Sequence, residues 1–220
     1  MRIAPVAVLA FLLTSALVSA ETDPAPAVAS DDLLQRVLAA QRGVTSISGR
    51  FTQRTVRIDE PDLAGDVFDA HFDLLAPDKY NIIYTKPGDD EYRLRYCSDG
   101  QNRAQQEQIM VGQPPDVVVK PVTKDGDDDA MHRITALFRL DPVAINRDFT
   151  VTPQARGDAF TVLLMPRSPG LAERIQRIEV DLDPSLRTKA VRIDDPRGNR
   201  ILITIEEAIY NPTLPPSTFT

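Results

Sequence analysis

Residues 66–98 read DVFDAHFDLLAPDKYNIIYTKPGDDEYRLRYCS, and the class of fold is decided there. Phe68, Ala70, Phe72 and Leu74 alternate with Asp69, His71 and Asp73; Tyr80, Ile82 and Tyr84 follow at the same spacing, and then Tyr92, Leu94 and Tyr96. A period of two sends the aromatic and aliphatic side chains to one face of an extended chain and the charged ones to the other. The runs are separated by Pro77-Asp78 and by Lys86-Pro87-Gly88-Asp89, turns so short that they join only antiparallel neighbours.

The same pattern extends outward. Upstream, Ile47, Gly49, Phe51, Gln53 and Thr55 alternate with Ser48, Arg50, Thr52 and Arg54; downstream, Ser98-Asp99-Gly100 closes the series with a turn. Before the first strand, Ser30 offers an N-cap, Asp31 and Asp32 suit the positive end of a helix dipole, and Leu33, Leu34, Val37 and Leu38 recur at helical spacing until Gly43. The middle is less regular: residues 102–108 are polar, Val117 to Val119 is a short apolar run between prolines, and residues 124–129 form an acidic loop. A second helix is expected after Asp128 or Asp129, with Met131, Ile134, Leu137 and Phe138 on one face and its end at Asp141-Pro142. Strands then return at residues 149–152, 160–165, 175–182, 190–193 and 201–205, separated by turn signals such as Arg156-Gly157-Asp158 and Pro196-Arg197-Gly198-Asn199.

About ten strands at roughly 4.8 Å spacing make a sheet some 45–50 Å wide. Two helices of about a dozen residues, each roughly 18 Å long, cover less than half of its apolar face. The rest is hidden only if the sheet curls around them, so the expected fold is mainly β with α: an incomplete, half-open antiparallel β-barrel lidded by short helices. The inward residues are then either an apolar cavity that receives a flat or chain-like ligand, or a core in which the same side chains pack on each other and on the helices. The candidate cavity comprises Phe51, Phe68, Phe72, Leu74, Tyr80, Ile82, Tyr84, Tyr92, Leu94, Tyr96, Ile134, Leu137 and Phe138.

The chemistry points away from catalysis. The 220 residues carry 25 Lys+Arg against 32 Asp+Glu, one Cys, two His and no Trp, which gives no basic field for nucleic acid and too few N/S ligands for a zinc site. No G-x-S-x-G, P-loop, dinucleotide fingerprint or H-E-x-x-H occurs. His71 lies between Asp69 and Asp73 on the polar face of its strand, without a nucleophile near it in sequence, and reads as solvated. The acidic run at 125–129 lacks the spacing and distal Glu of an EF-hand. Cys97 has Arg93 and Arg95 as neighbours on its face and reads as a small structural residue. No catalytic residue, metal or cofactor is expected, and the chain is read as a non-enzyme.

At the N-terminus, Met1-Arg2, an uncharged apolar run from Ile3 to Leu17 and the small residues Val18-Ser19-Ala20 have the form of a secretory signal cleaved after Ala20. No Cys follows the cleavage site, so lipid attachment there is excluded. Residues 21–29, with two prolines, form a flexible lead-in, and 30–220 a single domain. With one Cys in an oxidising compartment, packing rather than a disulfide must hold the domain together.

The order of these features resembles the outer-membrane lipoprotein carrier family (LolA-type), of which the chain looks like a divergent member. The resemblance rests on the N-terminal helix, Ser46-x-Ser48-Gly49-x-Phe51-x-Gln53, Gly65-x-x-Phe68 leading through Pro77 to Tyr80, and Ser98-Asp99-Gly100. In the second half it rests on residues 149–153 (FTVTP), 180–183 (VDLD), Asp195-x-x-Gly198-Asn199 and a terminal Asn211-Pro212 to Phe219. It implies a periplasmic carrier that shelters lipid or lipoprotein acyl chains between the inner and outer membranes, loaded by an inner-membrane release complex and unloaded at an outer-membrane acceptor. It also implies no catalysis, no metal and no nucleic acid, and a monomer is expected. Two departures stand out: Ala76 occupies the place of the basic residue that precedes the proline in proteobacterial carriers, and Gln101, Asn102 and Arg103 replace the tryptophans common after the Asp-Gly turn. A lipid-sensing or regulatory envelope-binding module of the same fold is the alternative.

Overall fold

The computed structural model describes residues 30–61, 65–108, 116–122, 135, 137–138, 142–156 and 159–220. The expected signal segment, the lead-in, the acidic loop, Met131 and Ile134 lie outside the described residues. Helix α1 (Ser30–Gln41) leads into β1 (Ser46–Arg57), β2 (Val67–Leu75), β3 (Lys79–Lys86), β4 (Asp89–Asp99), β5 (Asn102–Gln108) and β6 (Asp116–Pro121). Helix α2 (Pro142–Asp148) opens the second half, followed by β7 (Phe149–Arg156), β8 (Ala159–Pro166), the short helix α3 (Pro169–Ala172), β9 (Arg177–Leu182), β10 (Thr188–Asp194), β11 (Asn199–Tyr210) and a 3-10 turn at Pro216–Phe219.

All eleven strands belong to one antiparallel sheet, ordered β6-β5-β4-β3-β2-β1-β11-β10-β9-β8-β7. It consists of two meanders, β1–β6 and β7–β11, joined where β11 pairs with β1. The sheet does not close: β6 and β7 are its two ends, which makes it the half-open barrel the pattern predicts. Residues 122–148 therefore connect opposite edges of the sheet.

Register places every strand residue of the candidate cavity on one face. Leu74 stands between Ile47 and Tyr80, Phe72 between Gly49 and Ile82, and Ala70 between Phe51 and Tyr84, while Tyr96 and Leu94 face Ile82 and Tyr84 from β4. On the other side of the β1–β11 junction the same face continues with Ile203, Val191, Val180 and Val162. A bulge at Arg50/Phe51 lets β1 change register against β11. Gly49 sits beside it, where a Cβ would collide with the main-chain carbonyl of Glu207. Gly43, at φ 81°, adopts the left-handed conformation that ends α1.

Three details differ from the sequence expectation. The polar stretch 102–108 is a regular strand, β5, held between β4 and β6 by main-chain pairing. A further helix, α2, starts at Pro142, which stands at its first position, where its missing N–H has no intrahelical role, while Asp141, where the expected second helix ends, lies outside the described residues. Asp73 is not solvated with its neighbours Asp69 and His71: it is buried. Its Oδ1 accepts from Ser48 Oγ at 2.7 Å, and its Oδ2 lies 3.2 Å from His71 Nε2 and 3.4 Å from Asn81 Nδ2. Arg95 extends this row, donating to Asn81 Oδ1 at 2.7 Å and to the main-chain oxygens of Thr218 and Thr220. The terminal segment is thereby strapped across the outer face of β3 and β4, where Phe219 is buried.

Candidate functional site: the apolar inner face

The inner face is built by alternation, and its two halves differ in character. On β1–β4 it is aromatic. Phe51 lies 5.7 Å from both Phe72 and Tyr84, Tyr84 lies 6.1 Å from Tyr96, and Phe68 lies 5.3 Å from Tyr92, mostly in tilted or edge-to-face arrangements that suit the ring quadrupoles. On β8–β11 it is aliphatic, with Leu164, Ile178, Val180, Val191 and Ile203 all fully buried. The branched residues suit the pleated, buried surface of β8–β11.

Between the halves sits the connection from β6 to β7. Within it Thr135, Leu137 and Phe138 are helical and buried. The Phe138 ring rests 5.4 Å from Phe51 and 5.1 Å from Phe72. The Thr188 hydroxyl, also buried, lies 3.3 Å from the carbonyls of both Leu137 and Phe138 and donates its proton between them. Beside Phe138, among Ile47, Phe72, Thr188, Ile205, Ala208 and Tyr210, a cavity of only 10 Å³ remains, room for about one water molecule at most. Phe138 thus acts as a plug: a side chain from outside the sheet completes the packing that a closed barrel would obtain from its opposite wall.

The candidate residues fall into three groups. Phe51, Phe72, Leu74, Tyr80, Ile82, Tyr84, Leu137 and Phe138 are buried in one contiguous cluster. Phe68, Tyr92, Leu94 and Tyr96 are half-buried and pack against that cluster from the β4 side. Ile134 lies outside the described residues. Among these rings Tyr84 is paired with Gln53, whose Oε1 accepts from the phenol at 3.3 Å. Burial pushes the Tyr84 phenol far above the usual tyrosine range, so it stays protonated and serves as a donor.

Sequence reasoning missed the residues that hold the plug. Thr188 reads as an ordinary strand residue, and nothing in its local pattern signals that its hydroxyl serves main-chain carbonyls some fifty residues away. Likewise Gln41 and Arg187 link α1 to the β9–β10 turn: Gln41 Nε2 donates to the Leu186 carbonyl at 2.8 Å, and Arg187 donates to Gln41 Oε1 at 3.1 Å. Arg187 also lies 4.5 Å above the ring of Tyr210.

The outer face has a different chemistry. A groove of about 740 Å³ runs over Arg50, Asp69, His71, Ile83, Thr85 and Arg93, bordered by Asp90 and Glu206. His71 stands there half-exposed against Asp73. The Ser48 hydroxyl donates to Asp73 rather than to the imidazole, so the hydroxyl–base contact that acyl transfer requires is not made. Among the described residues no group of three or more His, Cys, Asp or Glu is placed to hold a metal ion, and no helix is long and apolar enough to cross a membrane. Cys97 is buried on this face. Further along, Asp194 accepts from Arg200 Nε at 2.6 Å and Arg177 Nε at 2.8 Å. Its carboxyl is held below the usual range chiefly by Arg200, against the opposing effect of burial.

No family model matches the chain, and no curated protein matches it significantly. Among solved structures it is similar to a LolA superfamily protein from Nitrosomonas europaea, at 10% identity over 87% of this chain and 97% of that one, with a TM-score of 0.43. It is similar to the lipoprotein LppX of Mycobacterium tuberculosis, at 14% identity over 83% and 94% of the two chains, TM-score 0.45. A DUF1329 family protein from Desulfovibrio piger is similar at 13% identity over 87% and 96%, TM-score 0.44.

Proposed function

We propose that this chain is an exported, non-catalytic carrier that shelters lipid or lipoprotein acyl chains in transit from the inner to the outer membrane. The observation that carries the reading is the plug. An eleven-strand sheet whose inner face is apolar over β1–β4 and β8–β11 is left unclosed, and Leu137 and Phe138 from a connecting segment pack against that apolar part. Phe138, helical and seated against the Phe51 and Phe72 rings and the Thr188 hydroxyl, is not part of a strand ladder, so its leaving the socket breaks none. The space around it is lined mainly by apolar side chains (Ile47, Phe72, Ile205 and Ala208, with Tyr210) and by Thr188, which suits an acyl chain. The secretory form of residues 1–20 and the LolA-type order of sequence features support the same reading.

The physical need for such a carrier is quantitative. Each methylene exposed to water costs about 0.8 kcal/mol, so a chain of roughly 16 carbons does not leave a bilayer unaided at a useful rate. A carrier offsets that cost by offering an equivalent apolar environment at the membrane surface. Mass spectrometry of an organic extract of the protein purified from its native envelope tests the proposal, with transfer of fluorescent acyl lipid between two vesicle populations as the second arm. Stoichiometric lipid and accelerated transfer are expected; a lipid-free protein that leaves transfer at its spontaneous rate overturns the reading.

A further inference from the structure

The two ends of the sheet are unlike. β7 carries Pro153 and packs against α1 and α2, which blunts it as a pairing edge. β6, by contrast, is paired only with β5 among the described residues, and all six of its residues are exposed. Val117, Val118 and Val119 are 48%, 49% and 60% exposed, the densest run of exposed large hydrophobic residues among those described. Such an edge offers main-chain donors and acceptors together with apolar side chains on both faces, which is what a further strand needs.

The sequence of the strand selects its occupant. Asp116-Val117-Val118-Val119-Lys120 is self-complementary when read in the opposite direction. Two copies aligned antiparallel about Val118 set Val118 against Val118 and Val117 against Val119, and place Asp116 of each protomer opposite Lys120 of the other. Residues directly opposite in an antiparallel pair share a face. The register with β5 puts Asp116, Val118 and Lys120 on the inner face and Val117 and Val119 on the outer, so the charged pairs and the apolar pairs meet on matching sides. Shifting the register by two residues removes both charge pairs.

We propose that β6 is a homodimerisation edge, through which two copies of this chain join about a two-fold axis at Val118 into one continuous antiparallel sheet. This isologous arrangement departs from the monomer expected of the sequence, and it is independent of what the inner face carries. With about six residues paired per protomer, the contact is smaller than a standard stable interface, so the dimer forms and separates with concentration. Its two opposite-charge pairs make it sensitive to salt.

Sedimentation equilibrium over a concentration series, on the intact protein and on charge variants at these exposed positions, tests the proposal. The unmodified protein is expected to show a monomer–dimer equilibrium. Asp116→Lys and Lys120→Asp each turn two attractive pairs into two repulsive ones and are expected to weaken association by about tenfold or more. The double variant D116K/K120D restores complementarity with itself, and an equimolar mixture of the two single variants restores it between chains; both are expected to recover the dimer. A protein that stays monomeric at the highest concentration, including one whose edge serves an unrelated extended partner, overturns the proposal. So does a dimer indifferent to the single reversals, or one not rescued by the double exchange.

Discussion

Replacing Phe138 by alanine separates a plug from an ordinary core residue. The ring is 2% exposed and sits against Phe51 and Phe72 at 5.4 and 5.1 Å, with only 10 Å³ of free space beside it. Removing a ring packed this closely costs about 3–5 kcal/mol in a protein core. For a domain of this size that corresponds to a fall in Tm of roughly 6–20 °C. The vacated space approaches that of engineered apolar cavities of about 150 Å³ that remain dry and accept benzene. The seating energy of Phe138 opposes entry of any ligand that must displace it, so its loss lowers stability without ligand and raises affinity for an acyl chain. If even half of the cost is recovered on binding, the apparent affinity rises by about tenfold or more. The assay is paired: thermal unfolding without ligand, and titration with a fluorescent fatty acid, on the wild type and F138A. A variant with reduced Tm and unchanged or weaker acyl binding would falsify the plug and leave Phe138 as a core residue only.

Thr188→Val removes the hydroxyl shared by the Leu137 and Phe138 carbonyls while preserving shape; it is expected to loosen the plug by about 1 kcal/mol, and acyl-probe affinity is expected to rise a few-fold, with fluorescence titration as the check. Asp194→Asn probes pH dependence. The native Asp194 carboxyl is held below its ordinary value by Arg200 and Arg177, so its stabilising effect is complete above the unfolded carboxylate pKa and is lost as pH falls through the lower native value. The wild type should therefore exceed the variant by about 1–3 kcal/mol at neutral pH, with the gap closing below about pH 4; urea unfolding at several pH values that shows a constant gap contradicts this. Gly49→Ala forces a Cβ against the Glu207 carbonyl at the β1 bulge and is expected to cost about 1–3 kcal/mol, measured by urea unfolding.

How much of this was legible in the sequence depends on where the decisive contact lies. β1–β4 announce themselves because Phe51, Phe72, Tyr84 and Tyr96 fall on one side of a period-two pattern, and the structure joins them through neighbouring strands. β5 has no such signal. Its run NRAQQEQ lacks apolar alternation, and main-chain pairing with β4 and β6 makes it a strand. Asp73 looked solvated because its neighbours Asp69 and His71 are; its burial follows from Ser48 and Asn81 on adjoining strands, beside the terminal strap that Arg95 holds from over a hundred residues away. Helical spacing gave Phe138 a buried face, but no local pattern names Phe51 and Phe72 as its socket, because that contact is set by the path of the connection between the two ends of the sheet.

The way the barrel is sealed bears on whether a carrier can also release. A closing strand would be zipped into the sheet by a ladder of main-chain bonds, and opening it would break many at once. In the proposed carrier, a plug made of Leu137 and Phe138, whose contacts include the Phe51 and Phe72 rings and the Thr188 hydroxyl, opens without breaking such a ladder, and unseating the Phe138 ring costs about 3–5 kcal/mol. An acyl chain moving from bilayer to apolar cavity exchanges one hydrocarbon environment for another, so most of its roughly 0.8 kcal/mol per methylene cancels between donor and carrier. The direction of transfer then rests on small terms, and reseating the plug is one of comparable size. In the proposed carrier, the stability of the plugged form is therefore itself the driving force for letting the cargo go, and variants that weaken the plug should bind acyl chains more tightly while delivering them more slowly.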